Sequence, residues 1–349
     1  MNEILHVADS HVGARQYGLA ERRADFSHAL FQVAELAVAE GVRAVVHAGD
    51  LFDSRNPSTE DLRDVLSALL RLREAGVPFL GIVGNHEQKR GVQWLDLFAS
   101  LGLAVHLGGE PYRLNGLPIY GLDYAGRREL ELPNLQGGVL VAHQLLDRIA
   151  PVRGELKLSR LLECGAEVVL LGDYHEHQSW LEHNVLVTYS GSTERWRASE
   201  RGPRGCSLID LGTKRLERRK LETRRFVYLE ADEDPLRALA AHDLRGAVVC
   251  AYRGGEHTPQ EIEEEALRRG ALAVQFLEGD SAATIGEEPE PEEPPLEFAD
   301  LEEALAHELA RTDLSRRGRE IEAIIRDERI PDSNVDLEVT KLLESRGQE

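Results

Sequence analysis

The sequence predicts an α/β fold in which short, mostly parallel strands are buried on both faces and alternate with helices. Two observations carry this expectation. Short apolar runs rich in β-branched residues recur along the first half of the chain, and five of them stop at Asp, His or Asn. Between two of these runs, Leu62, Val65, Leu66, Leu69 and Leu70 fall at helical spacing. With 349 residues and 42% hydrophobic content, the chain can form one large domain and one or two small ones.

Taken in order, residues 4–8 run into Asp9-Ser10-His11, and residues 44–48 run into Gly49-Asp50-Leu51-Phe52-Asp53. Pro57-Ser58-Thr59-Glu60 then begins a helix. The run 78–83 closes on Gly84-Asn85-His86-Glu87, followed by Trp94, Leu95, Leu97 and Phe98. Residues 139–142 reach His143, and residues 168–171 reach Gly172-Asp173-Tyr174-His175-Glu176-His177. In an open parallel sheet the carboxyl ends of the strands face the ligand crevice. Taken singly, Asp9 or Asp50 reads as a helix N-cap, His11 or His143 as a packed histidine, and Gly84-Asn85 as an ordinary turn. Polar endings on five strands point to one shared site. His6 and His47 lie inside the runs and read as structural.

Carboxylates, imidazoles and an amide gathered at one crevice form a ligand set for divalent metals. Two ions roughly 3.5–4 Å apart can clamp the attacking and leaving oxygens of an in-line phosphoryl displacement. Their mutual repulsion calls for a bridging anion, which a carboxylate supplies and an imidazole cannot. Mixed nitrogen and oxygen ligation suits manganese, iron or zinc better than magnesium, and manganese is the first choice.

Asp9-Ser10-His11, Gly49-Asp50 with Asp53, Gly84-Asn85-His86-Glu87, His143 and Gly172-Asp173-Tyr174-His175 resemble the ordered motifs of the calcineurin-like metallophosphoesterases. Glu21-Arg22-Arg23-Ala24-Asp25-Phe26, the stretch from Gly49 to Pro57, and Tyr189-Ser190-Gly191-Ser192-Thr193-Glu194-Arg195 are similar to the SbcD-type, or meiotic-recombination-eleven-type, double-strand-break repair nucleases. The likeness is strongest over residues 1–225. It implies a four-layer β-sandwich core flanked by helices, a small α/β capping domain and a C-terminal helical tail.

The resemblance also implies roles. Asp9, His11, Asp50 and His175 would hold one metal; Asp50, Asn85, His143 and Asp173 would hold the second, with Asp50 as the bridge. His86 would not be a ligand. It would stand beside the scissile phosphate and protonate or orient the leaving 3′ oxygen, with water activated by the ions as nucleophile. The last motif often reads Gly-His-x-His in this family, whereas this chain has Asp173. Asp173 is the first reading for that ligand and His177 the rival. Asp53 stays open between a place beside a ligand, a substrate contact and a helix cap.

Net charge is −21, which by itself argues against a nucleic-acid partner. Residues 1–228 hold 28 Lys and Arg against 30 Asp and Glu, however, while residues 229–349 hold 13 against 32, so the acidity belongs to the tail. Arg15, Arg22, Arg23, Arg55, Lys89, Arg90, Arg195, Arg197, Arg201 and Arg204 follow the strand ends, where a phosphate backbone would run. Any one of them alone reads equally as solvated surface. Arg15, Arg55 and Arg195 are the candidates for substrate contact. The segment 214–225 reads as two exposed hairpin strands. Cys164, Cys206 and Cys250 form no Cys-x-x-Cys pair, which speaks against a disulfide framework or zinc knuckle. No secretory signal or membrane-length apolar run is visible, so the expected setting is a prokaryotic cytoplasm, at the nucleoid.

The expected organisation is a nuclease domain over 1–225, a capping domain over 226–280, an acidic Pro/Glu linker over 281–297 and a helical tail over 298–349. Leu301, Leu305, Leu309, Ile321, Ile324 and Ile325 suggest amphipathic helices seeking a partner. The resemblance implies that this partner is an SbcC-type coiled-coil ABC ATPase; a helical pair folded back on the core is the alternative. It implies too a homodimer built on parts of the helices near Leu62 and Trp94. The reading is a manganese-dependent exonuclease and endonuclease acting on DNA double-strand ends, hairpins and single strands. A phosphomonoesterase or protein phosphatase is the enzymatic alternative, although Asp53 lacks an Arg-Gly continuation and no extra Arg precedes Gly84. An inactive scaffold is a third reading, and retention of His86 speaks against it.

Overall fold

The computed structural model describes residues 3–277 except 127–129, 131, 232 and 253–256. The expected linker and tail lie outside the described residues. The chain opens with β1 (Glu3–Val7), α1 (Ala20–Glu40), β2 (Val45–His47), α2 (Thr59–Glu74), β3 (Phe79–Gly81), α3 (Trp94–Ser100) and β4 (Val105–His106). These four strands are parallel neighbours in one sheet. A second sheet follows, built from β5 (Tyr112–Leu114), β6 (Leu117–Leu122), β7 (Val139–His143), β8 (Val168–Gly172), β9 (Gln178–Glu182) and β10 (Val185–Tyr189), with α4 (Leu158–Glu163) between β7 and β8. The chain then returns to the first sheet with β11 (Gly205–Asp210), antiparallel to β1, and β12 (Arg215–Lys220) on the edge.

Successive side chains of a strand point to opposite faces, so each run feeds two cores. Ile4, Val46 and Leu80 of the first sheet meet Ile119, Val141 and Leu170 of the second. Leu5 and Val45 face the other way, onto Val33 and Ala37 of α1 and Val65 and Leu69 of α2. Leu140 and Val169 cover α4 through Leu161. Helix, sheet, sheet and helix therefore stack as four layers. Burial on both faces explains why the strands read as unbroken apolar runs.

Ser58 caps α2: its hydroxyl accepts from the Asp61 amide, and Asp61 reciprocates to the Ser58 backbone. Such a cap stabilises by about 1 kcal/mol. With that role filled, Asp53 is not the cap of this helix.

A third, parallel sheet contains β13 (Phe226–Tyr228), β14 (Val248–Tyr252) and β15 (Ala273–Leu277), linked by α5 (Pro235–Ala241) and α6 (Pro259–Arg268). Val249 and Ala251 pack on Leu239, Ile262 and Ala266. Arg22 joins this unit to α1. Its guanidinium lies 5.3 Å from the Phe26 ring and 5.2 Å from the Phe226 ring.

Two sequence expectations are corrected here. Arg22, Arg23 and Arg204 are buried rather than on the rim. Arg22 donates to Asp25, Gln16 and the Arg195 carbonyl, Arg23 to Asp61 and Asp64, and Arg204 to Glu176 and the His175 carbonyl. Each has internal acceptors that compensate its burial. Segment 214–225 supplies one strand, β12, whose hairpin partner is the upstream β11; Leu221 is buried in the core. All three cysteines are buried and free. Among the described residues, no helix is long and apolar enough to cross a membrane.

Candidate metal centre

Asp9, His11, Asp50 and Asp173, each just past a strand end, have φ of 51°, 43°, 56° and 88°. Side chains other than glycine resist this left-handed region, at about 1–3 kcal/mol per residue. The turns aim four polar side chains at one point between the two sheets. Three glycines let the loops close on it. A Cβ at Gly49 would lie 2.4 Å from His143 Nδ1, one at Gly84 2.1 Å from Asp50 Oδ1, and one at Gly172 2.1 Å from the Ala48 carbonyl oxygen.

The ligating atoms converge. Asp9, His11 and His175 each offer an atom within 4.8 Å of the others, and so do Asp9, Asp50 and His143. His143 Nε2 lies 3.0 Å from Asn85 Oδ1, 3.4 Å from Asp50 Oδ2 and 3.8 Å from Asp173 Oδ1. Asp50 Oδ2 also approaches His11 Nε2 at 3.9 Å. Asp50 thus stands between the two groups, and Asp9 belongs to both.

The imidazoles are oriented from behind. His143 Nδ1 faces the Ala48 carbonyl oxygen at 2.7 Å, and His175 Nδ1 faces Glu200 Oε1 at 2.7 Å. A proton held at each Nδ1 leaves Nε2 free as a donor atom toward the crevice, the arrangement metal-binding histidines adopt. Burial opposes charge on His175, yet Glu200, with Asp9 and Asp173, lifts it to about 9. In the same way burial works to raise Asp50, and His143 with His11 and His86 overrides it, holding the carboxyl below the usual range. Burial lifts Asp173 to about 6 against the opposing pull of His143.

With this geometry in hand, residues 3–179 match the calcineurin-like phosphoesterase family. The chain belongs to that family. Over 97% of its length it is 38% identical to the DNA double-strand break repair protein Mre11 of Methanosarcina mazei, covering 59% of that protein. It is also 38% identical to Mre11 of Haloferax volcanii, covering 82% of that protein. To Mre11 of Halobacterium salinarum it is 34% identical, covering 92%. The chain is an Mre11-type member of the family.

The donor set of this phosphoesterase fits divalent cations. Asp9 Oδ2 is buried without a hydrogen-bond partner, and His11 Nε2 faces His175 Nε2 at 3.2 Å, a pair of nitrogens suited to share one ion. His177 turns away: its Nδ1 faces the Tyr189 carbonyl oxygen at 2.8 Å. Asp173 is the one of the pair that adjoins His143. His86 sits beside the cluster, half-buried, with Nδ1 3.1 Å from the Asp53 carbonyl oxygen. The Asp53 carboxylate lies between His11 and His86, and those three form a further potential ligand group. Arg15 and Arg55 are exposed. Arg195 is directed inward, donating to the Glu200, Arg224 and Gly202 carbonyls and to Thr223.

Three contributors escaped the sequence reading. Glu87 is buried, and its carboxylate accepts from the amides of Leu51 and Phe52 at 3.1 Å each and of Gly84 at 3.3 Å, tying the Asp50 turn to the Asn85 turn. Burial, with the Asp50 charge, lifts it to about 7. Glu200 and Trp196 lie on the loop after Gly191. The available signal was Glu200 four residues before Arg204, a buried ion pair at 3.5 Å, but nothing local linked it to His175.

Proposed function

We propose that this chain is a DNA nuclease that hydrolyses phosphodiester bonds at double-strand ends, hairpins and single strands, using two divalent ions, manganese by preference. One observation carries this reading: five strand ends bring acidic, imidazole and amide side chains together in a group able to hold metal ions, and His86 stands beside it with its side chain 28% exposed. The Mre11 likeness along nearly the whole chain supports DNA as the substrate. Asp9, His11, Asp50 and His175 would hold one ion and Asp50, Asn85, His143 and Asp173 the other. When bound, the ions supply positive charge to both the attacking and leaving oxygens and acidify water.

The protein's own groups do the rest. His86 turns Nδ1 to the Asp53 carbonyl, so Nε2 is the nitrogen available to pass a proton to the leaving 3′ oxygen. Its backbone amide donates to Asp50 Oδ1 at 3.0 Å, which fixes the imidazole relative to the bridging carboxylate. Exposed Arg15, Arg55, Arg90 and Arg197 offer charge to a phosphate backbone.

The same reading assigns residues 1–225 to a nuclease domain, 226–280 to a cap, 281–297 to a linker and 298–349 to the docking element for an SbcC-type ATPase. It places the protein at the nucleoid of a prokaryotic cytoplasm. Leu97 on α3, Leu101 just past its end and Leu70 on α2 are exposed at 44%, 54% and 36%, which supports a homodimer built on these helices. The test assays the full chain on duplex DNA, hairpin DNA and a generic phosphomonoester with manganese or magnesium, beside His86→Ser. DNA cleavage that falls about 10²–10⁴-fold in the variant is expected. Undiminished cleavage by the variant, or turnover of the monoester alone, would reject the reading.

A further inference from the structure

Trp196 is placed where no metal ligand or phosphate contact requires a tryptophan. Its indole stacks on the His11 ring at 5.4 Å and 28°, and meets His86 and His175 edge-on at 5.4 and 5.7 Å. Its Nε1–H donates to Asp53 Oδ1 at 2.8 Å. That same oxygen lies 3.3 Å from His11 Nδ1 and 3.8 Å from His86 Nδ1. One indole therefore reaches two imidazoles of the ligand cluster, the non-ligand imidazole, and the carboxylate between them.

The indole is itself held. Its backbone amide donates to Glu200 Oε2 at 2.9 Å, and its carbonyl accepts from Gln16 at 2.9 Å. Glu200 is the carboxylate that orients His175. A rigid two-ring donor fixed at both backbone groups restrains a carboxylate that would otherwise rotate about its own side-chain bonds. The ring stacks on His11, and the Arg197 guanidinium lies 5.0 Å from its centroid.

We infer that Trp196 is a positioning residue: through Asp53 it sets the orientation of His11 as a metal ligand and of His86 as the proton-carrying imidazole. This rests on the nuclease reading for its kinetic consequence and on geometry alone for its structural one. The two parts can fail separately.

The experiment uses the full chain labelled with ¹⁵N-tryptophan, its Trp196→Phe and Asp53→Ala variants, and the double variant. Phenylalanine keeps an aromatic ring over His11 and removes only the N–H donor and the second ring. The chain has three tryptophans, so the indole cross-peak missing in Trp196→Phe identifies residue 196. That peak is expected to shift in Asp53→Ala and to broaden beyond detection as manganese is added. With manganese and a labelled duplex, each single variant is expected to cut about tenfold more slowly at saturating DNA, the rate equivalent of one hydrogen bond to a charged group. DNA affinity should stay within about twofold, and the double variant should be no slower than the slower single one, as for residues acting as a unit.

A Trp196 resonance unmoved by Asp53→Ala would overturn the inference. So would full cutting rates in Trp196→Phe, additive losses in the double variant, or a loss confined to DNA affinity, which would make the indole a base platform. If the unmodified chain cuts no DNA with any metal, the nuclease reading fails. The resonance shift and the manganese broadening then decide the structural part by themselves.

Discussion

Removing the Glu87 carboxylate should loosen the metal centre from beneath. In Glu87→Ala the amides of Leu51, Phe52 and Gly84 lose their acceptor at a site where the side chain is 6% exposed. A buried amide left without a partner costs about 1–3 kcal/mol. Leu51 and Phe52 are adjacent and can relax together, so the sum falls short of three full penalties and a loss of about 3–5 kcal/mol is expected. At about 2–4 °C per kcal/mol for a domain above 150 residues, the melting temperature should fall by about 10 °C. Glu87→Gln keeps one acceptor oxygen and escapes the burial of a charge, and its loss should be roughly half as large. Thermal unfolding of the full chain by circular dichroism, without added metal, reads both. A Glu87→Ala protein melting within about 2 °C of the parent would refute the role given to these three bonds.

Gly84→Ala would place a methyl 2.1 Å from Asp50 Oδ1 and 2.4 Å from its backbone nitrogen, so calorimetry should find weakened manganese binding and fewer sites filled. Glu200→Gln keeps the shape but weakens the hold on His175 Nδ1; manganese affinity should fall about 10–100-fold with little change in melting temperature. His106, lodged between Asp123 at 3.0 Å and Asp96 at 2.6 Å, is raised from 6.5 to about 9, by Asp123 first, with burial opposing and Asp96 assisting. Its contribution to stability is therefore fully present below about pH 6.5 and fades as pH rises through about 9. Melting temperature followed from pH 6.5 to 9.5 should decline more steeply in the parent than in His106→Asn, and parallel curves would contradict the assignment.

The clustering of these polar residues was legible because a strand has a fixed period and a fixed end. An apolar run that stops at Asp9, Asp50, Asn85, His143 or Asp173 declares both its burial and the direction of its polar terminus, and these residues converge as the motifs led one to expect. The residues that orient them were not legible. Glu87 acts on amides 35 and 36 positions earlier, Trp196 on a carboxylate 143 positions earlier, and Glu200 on an imidazole 25 positions earlier. No local spacing encodes such pairs.

By itself, then, the sequence determined the layered α/β plan, the polar strand ends and the family, since all three depend on local periodicity and on short ordered motifs. Only the tertiary structure decided what the charges do. Arg22, Arg23 and Arg204 follow strand ends just as Arg55 and Arg197 do, yet the first three are buried against carboxylates and carbonyls and the last two face solvent. His177 and Asp173 differ in their surroundings for the same reason. Asp173 adjoins His143, whereas His177, four residues further on, turns to the Tyr189 carbonyl that the antiparallel pairing of β9 with β10 brings beside it. Whether a charge is spent inside the fold or offered to a ligand depends on which partners packing brings within reach, and those partners are distant in the chain.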